Sequence, residues 1–321
     1  MSTVLAYRFS AFGDVAMAAI VIREFVEQNP DVRLVMVSRE HFKPLFGGIP
    51  NLFFKGVNLD DFKGFFGMQR LATQLIREFS PTHIADLHDV IRTKILDRKF
   101  ARKGFNVAVI NKGKEEKEIL TDIWNLEKQQ LRSTVERYAD VFRELGFGLT
   151  LSHKLRTDSK PRSGVGFAPF AQHKGKMLPL DKSYELARLL AKKYEVYFFG
   201  GGKDETETLS KWEKQIPNTR SLAGSLTLSQ ELEKISCLDV MISMDSANMH
   251  LASLAGTRCI SVWGSTHHFA GFLGYGQSED DIVQVKDLTC RPCSVFGDRE
   301  CFRGDYACLQ EIHIQQILNK L

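Results

Sequence analysis

Short apolar runs alternate with stretches whose apolar residues recur at three- and four-residue intervals, which is the pattern of strands followed by helices. Residues 4–9, 33–38, 52–56, 82–87 and 106–110 read as strands, and 14–27, 41–46, 61–79, 91–102 and 134–145 as helices. Residues 150–163 are polar and lack helical spacing, so the boundary between two domains, 1–157 and 158–321, falls there. A second series follows, with strands at 165–168, 196–199, 219–222, 240–243 and 257–263 and helices at 182–194, 204–215, 229–237 and 249–255. Alternation of this kind predicts an α/β protein with mostly parallel sheets, in two Rossmann-like halves facing a cleft.

Length and composition fit that reading. A chain of 321 residues, 43% hydrophobic and 26% charged, can build two ordinary cores. No apolar run approaches the roughly 18 residues of a membrane span. The apolar stretch 15–22 resembles a signal peptide only in part, because no basic residue precedes Arg8 and Gly13-Asp14 interrupts it. The chain therefore reads as cytoplasmic. Its net charge of +4 is unevenly spread: Arg92, Lys94, Arg98, Lys99, Arg102, Lys103, Lys112 and Lys114 face Asp97 alone. The cluster is either a solvated helix face or a surface for an anionic partner, such as a membrane or a glycolipid. Aromatic residues do not interleave with these charges, so nucleic acid is not expected.

Ligand chemistry is expected where strands end. The turn Asp245-Ser246-Ala247-Asn248 joins a buried strand to a helix, where unpaired N–H groups meet sugars and phosphates. Capping of that helix is the plainer role for Asp245 or Ser246. The loop Ser10-Ala11-Phe12-Gly13-Asp14 has a glycine for close backbone approach. Asp14 is then either an N-cap or a general base. His88 and Asp89 also end a strand. Lys174 and Lys176, after the first strand of the second half, could offset charge on a departing diphosphate. Gly200-Gly201-Gly202 is neither GxGxxG nor a P-loop, and the first half lacks GxGxxG too, which speaks against a nicotinamide or flavin cofactor. Cys290, Cys293, Cys301 and Cys308 cluster near the end. Their spacing departs from a standard zinc knuckle and leaves either a structural zinc site or reduced thiols, with no catalytic part.

Three of these stretches resemble glycosyltransferase family 9, the bacterial ADP-heptose:lipopolysaccharide heptosyltransferases. Arg8-Phe9-Ser10-Ala11-Phe12-Gly13-Asp14-Val15 resembles the family's R-[LF]-S-x-[IL]-G-D-[VI]. Lys176-Met177-Leu178-Pro179 resembles K-x-W-P, with Leu178 in place of Trp. The segment from Ser243 to Ala252 resembles [ST]-N-D-[ST]-G-x-x-H-[LI]-A, with Ala247 in place of Gly. Beyond it, Ser265 stands where Pro is common, and the Cys-containing tail is similar to that of many members.

The resemblance implies a GT-B fold that binds acceptor on the N-terminal half and ADP-sugar on the C-terminal half. It implies inverting, metal-independent transfer of heptose to the inner core of lipopolysaccharide, with no cofactor. Asp14 would be the base and Lys176 the contact to the leaving diphosphate, with Ser10 and Gly13 beside the acceptor. Asp245, Ser246 and Ala247 would bind the heptose and phosphates, Lys174 would assist, and His250 would position the loop or touch the nucleotide. Glu205 falls near a position that contacts the sugar. The expected partners are an ADP-sugar donor and an anionic glycolipid acceptor of the Kdo-lipid A type, with peripheral contact at the inner membrane. A GT-B enzyme using another nucleotide sugar, or a non-catalytic relative binding nucleotide or glycan, are the other readings.

Overall fold

The computed structural model describes residues 2–321. Its first elements are β1 (Thr3–Tyr7), α1 (Phe12–Gln28), β2 (Arg33–Ser38), β3 (Leu52–Gly56), α2 (Gly64–Phe79), β4 (His83–Asp86), α3 (Ile91–Arg102) and β5 (Asn106–Val109). Then come α4 (Lys114–Leu120), α5 (Thr134–Glu144), β6 (Val165–Ala168), α6 (Leu180–Leu190), β7 (Val196–Phe198), α7 (Lys203–Gln215), β8 (Thr219–Ser221) and α8 (Leu228–Ser236). The chain closes with β9 (Val240–Met244), α9 (Ala247–Ala255), β10 (Cys259–Trp263), β11 (Ile282–Gln284), α10 (Ala307–Gln310) and α11 (Ile314–Leu318). Two compact units result. One holds the residues through Gly113 with Arg132–Ser152, and the other holds Lys114–Leu131 with His153–Leu321.

The first unit is a five-stranded sheet in the order β3-β2-β1-β4-β5, every pair parallel. Central strands are covered on both faces, so β1 is apolar at every position and buried throughout. Leu5, Tyr7 and Phe9 pack on the side of α2 and α3, with Leu71, Leu75, Leu96 and Phe100. Helices α1 and α5 pack together, and the Phe25 and Phe142 rings stack at 4.3 Å. Chain direction across the sheet reverses between β1 and β4. The second unit is six-stranded, β11-β10-β9-β6-β7-β8, again all parallel, and reverses between β6 and β9. Its core runs from Phe167 and Ile242 to Cys308, Leu309, Ile312 and Ile317, so the tail closes the second sheet's core.

Helix starts differ from the sequence reading by a few residues, because several caps are not the usual Ser, Thr, Asp or Asn. Helix α1 begins at Phe12 behind Ala11, and α6 begins behind Pro179. Pro44 denies residues 40–46 an α-helical bond, and they form a 3₁₀ helix. Lys63 separates the 3₁₀ turn Leu59–Phe62 from α2, which opens at Gly64 with a φ of +68°. Strand β11 and helix α4 lack the periodicity that would have marked them.

A polar cluster lies under the reversal point of the first sheet. Asp86, at the end of β4, accepts from the N–H groups of His88 at 2.6 Å and Asp89 at 3.0 Å. Its other oxygen is buried with no hydrogen-bond donor, and the carboxyl of Asp97 lies close to Asp86. Two carboxyls in such contact need a shared proton. Burial, and then the Asp86 charge, push Asp97 up to about 8, and the protonated carboxyl also accepts from the hydroxyl of Tyr7.

This arrangement has a sign. A carboxyl whose folded pKa is raised binds a proton that the unfolded chain has lost, so stability falls as pH rises from the ordinary carboxylate range toward about 8. Asp97→Asn supplies an N–H donor without a titrating proton. Its stability relative to the parent should rise steadily across that window, read from denaturant midpoints at successive pH values. Parallel curves for the two proteins would refute the shared proton.

Candidate functional site

Each unit gathers polar side chains where its sheet reverses, the place at which open parallel sheets bind ligands. In the first unit the loop after β1 leads into α1, and Asp14 lies in that helix's first turn. No side chain caps α1, so Asp14 is not spent on capping. Its carboxylate instead meets the buried Arg8, whose Nη2 lies 2.6 Å from Oδ2. Arg8 is held in turn: its Nη1 donates to the Leu87 carbonyl at 2.5 Å, and its guanidinium lies 5.4 Å from the Tyr138 ring centre.

His88 completes this group. Burial, and then the nearby charge of Arg8, lower its pKa to about 3, so the imidazole is neutral. The Phe9 N–H donates to Nδ1 at 3.4 Å, which assigns the ring proton to Nε2. Nε2 is 3.3 Å from Ser10 Oγ and donates to it, leaving the Ser10 O–H as a donor to something else. Ser10, Asp14 and His88 therefore come together, with Gly13 at the start of α1. In the sequence Arg8 is marked only as the first residue of a motif. Its role depends on a partner outside any helical or strand spacing.

In the second unit the two strands flanking the reversal supply an ion pair. Lys176 follows β6 and Asp245 follows β9, and Nζ lies 2.9 Å from Oδ2. Asp245 is 4% exposed, and the same oxygen accepts from Thr266 Oγ1 at 2.8 Å. Ser246 is the N-cap residue of α9, yet its side chain makes no capping bond. Its Oγ lies 3.2 Å from Ser243 Oγ. Ser243 donates to the Met244 carbonyl, so Ser246 is the donor in that contact, and the first turn of α9, which starts at Ala247, is the part left available to an anion.

The remaining expected residues have surroundings of their own. Lys174 is exposed, with its ammonium 4.9 Å above the Tyr306 ring. Glu205 accepts from the Gly201 N–H at 2.8 Å and so braces the glycine loop after β7; burial raises its pKa. His250 is buried inside α9.

The tail supports the site in a way the sequence did not disclose. Arg291 is buried and donates to the carbonyls of Gly264 at 2.6 Å, Thr266 at 2.8 Å and Val285 at 2.6 Å. Burial lowers its pKa to about 10. Gly297, at a φ of +77°, lies against the stem of Lys176, where a Cβ would come within 2.4 Å of Cγ. Cys290, Cys293, Cys301 and Cys308 are free thiols around one small cavity of about 10 Å³. Among the described residues no group of three or more His, Cys, Asp or Glu is disposed to hold a metal ion.

Two consecutive parallel-sheet units of Rossmann type, each with polar groups at its reversal point, define the GT-B class. The fold is shared along nearly the whole chain with solved structures. The glycosyl transferase family 9 protein of Veillonella parvula aligns with a TM-score of 0.72 over 99% of this chain and 95% of its own, at 16% identity. The E. coli ADP-heptose LPS heptosyltransferase II gives 0.70 over 100% and 97%, at 18% identity. Lipooligosaccharide heptosyltransferase 2 of Campylobacter jejuni is 23% identical over 217 residues, which span 66% of this chain and 65% of that protein. The family model for glycosyltransferase family 9 (heptosyltransferase) matches residues 98–301, and the chain belongs to that family.

Removing Arg291 tests the support role of the tail. Arg291→Met leaves several buried carbonyls without donors and should cost about 3 kcal/mol or more, read as a lower unfolding midpoint. An unchanged midpoint would show that the tail does not hold the Gly264–Thr266 turn.

Proposed function

We propose that the protein transfers heptose from ADP-heptose to an anionic glycolipid acceptor of the lipopolysaccharide inner core, with inversion at the anomeric carbon. The observation that carries this reading is Asp14, a carboxylate unused as a cap and held by Arg8 beside Ser10 and the neutral His88. In the proposed step the acceptor oxygen forms a bond to the anomeric carbon as the bond to the diphosphate breaks. The acceptor's proton goes to Asp14, and ADP departs with the electron pair. Arg8 is already positioned against the carboxylate, and the Ser10 hydroxyl donates to the acceptor.

The donor side falls to the second unit. Lys176, Ser246 and the first turn of α9 meet the diphosphate, so the charge that develops on the leaving group finds fixed donors. Asp245 holds Lys176 in place until the donor arrives, and then accepts from heptose hydroxyls together with Glu205. Lys174 and His250 take secondary parts, Lys174 at the rim and His250 as a support for α9. We assign the counter-charge to Lys176 rather than to a divalent ion. The relatives' names support ADP-heptose as donor, one of them being an ADP-heptose LPS heptosyltransferase. Among the described residues no helix is long and apolar enough to cross a membrane, so contact with a lipid-borne acceptor would be peripheral.

Turnover should appear with ADP-heptose and withstand EDTA, and Asp14→Asn should lower kcat by about a hundredfold or more. Turnover confined to a UDP- or GDP-sugar would overturn the donor assignment. Full activity in Asp14→Asn would remove the base.

A further inference from the structure

The starts of α2 and α3 lie side by side. Both helices follow strands of one parallel sheet and pack against each other, and Gln69 Nε2 of α2 donates to the Ile95 carbonyl of α3 at 3.3 Å. Their first turns therefore share one end of the unit. That end is unusually apolar for a surface: Phe65 is 51% exposed, Phe66 85% and Ile91 82%. The buried stripe of α2 runs from Gly67 and Met68 through Leu71, Ala72 and Leu75 to Phe79, so the two phenylalanines precede it. Their rings meet edge to face at 5.5 Å. Gly67 fixes the preceding turn, since a Cβ there would lie 2.3 Å from the Phe62 carbonyl carbon.

Charge surrounds this apolar end on one side. Helix α3 exposes Arg92, Lys94, Arg98 and Arg102, and Lys103 follows at its C-terminus. The one acid of the helix, Asp97, is turned inward to Tyr7 and Asp86. Lys94 reaches Asp89 at 3.2 Å, and the exposed Asp60 is met by Lys63 at 3.2 Å. The outward face of α3 is thus almost purely cationic.

We propose that this end of the first unit docks on an anionic lipid bilayer, with Phe65, Phe66 and Ile91 entering the headgroup interface and the cationic face of α3 lying along the lipid phosphates. Aromatic rings beside basic residues are the chemistry of interfacial membrane contact, where apolar burial and attraction to anionic lipid add. A second copy of the chain is a poor occupant, because docking face to face would oppose two rows of like charge. Three apolar side chains are also few for a stable dimer. A nucleic acid is poorer still, since the rings sit at one end of the cationic row and do not alternate with it. An open cavity of about 340 Å³ takes in Arg92 at the start of α3 and is lined also by Arg39 and His41, with the acids Glu40 and Asp60 beside them. A headgroup whose chains stayed in the bilayer would meet it. The docking rests on the glycolipid-acceptor reading only for its purpose.

Co-sedimentation of the full chain with vesicles tests this directly. The protein should bind vesicles of phosphatidylglycerol in phosphatidylcholine, bind pure phosphatidylcholine weakly, and lose affinity as salt is raised. A triple variant, Phe65→Ser, Phe66→Ser and Ile91→Ser, should lower the partition coefficient about tenfold or more. Each of Arg98→Gln and Arg102→Gln should lower it about fivefold. These side chains are exposed, so melting curves should match the parent, and turnover of a deacylated, water-soluble acceptor should persist in the triple variant. Unchanged vesicle binding by the triple variant would overturn the proposal. So would a parent that is dimeric in solution and becomes monomeric in that variant, since a second copy would then cover the end. Vesicle binding by a protein that transfers no heptose would uphold the docking surface while sinking the transferase reading.

Discussion

A carboxylate taken out of water needs donors, and meeting that need at Asp245 shapes the second unit. One oxygen takes both the Thr266 hydroxyl and the Lys176 ammonium, which ties the ends of β10, β6 and β9 into one structure. Those strands lie next to one another, and the sheet reverses between two of them. Neither contact would form if the loops were free to move. Arg291 therefore anchors the turn that carries Thr266, and Gly297 gives the stem of Lys176 room to lie flat. The tail, which looks like an appendage in the sequence, is the outer wall of this arrangement.

The first unit solves the same problem with protons rather than cations. Asp86 ends a central strand, its donors are two N–H groups, and the carboxyl beside it, Asp97, is raised far enough to hold a proton. The N–H of His88 is one of these, so the cluster sets the backbone from which the imidazole points to Ser10. A charge pair then appears one layer further out, between Arg8 and Asp14, where the carboxylate is partly exposed. The buried layer is structural, and the proposed chemistry belongs to the outer one. A base must reach solvent or substrate to take a proton, whereas a scaffold must not.

Much of this was legible in the sequence because it is periodic. Parallel strands covered on both faces must be apolar throughout, and amphipathic helices must repeat at three and four residues, so the order of elements follows from spacing alone. The ends of strands locate the loops that carry Asp14, Lys176 and Asp245. Partners that depend on distance in space were not legible. Arg8 sits in a strand extension and shows nothing of its contact with Leu87, and Arg291 donates to carbonyls that every sequence possesses. Thr266, three residues past the end of β10, carries no mark in the sequence of its bond to Asp245. The capping roles considered for Asp14 and Ser246 failed for a local reason: neither side chain turns back onto its own helix.

The cationic residues 92–114 show how the same composition divides by geometry. Some are consumed internally, as Lys112 is by the Asp89 carbonyl and Lys94 by its carboxylate. Others project from α3 with no acid beside them on the helix, because Asp97 faces the core as a neutral group. Had Asp97 pointed outward as a carboxylate, it would have cancelled a neighbouring cation and left Tyr7 without its acceptor. The buried proton and the bare cationic surface are two consequences of one side chain's direction.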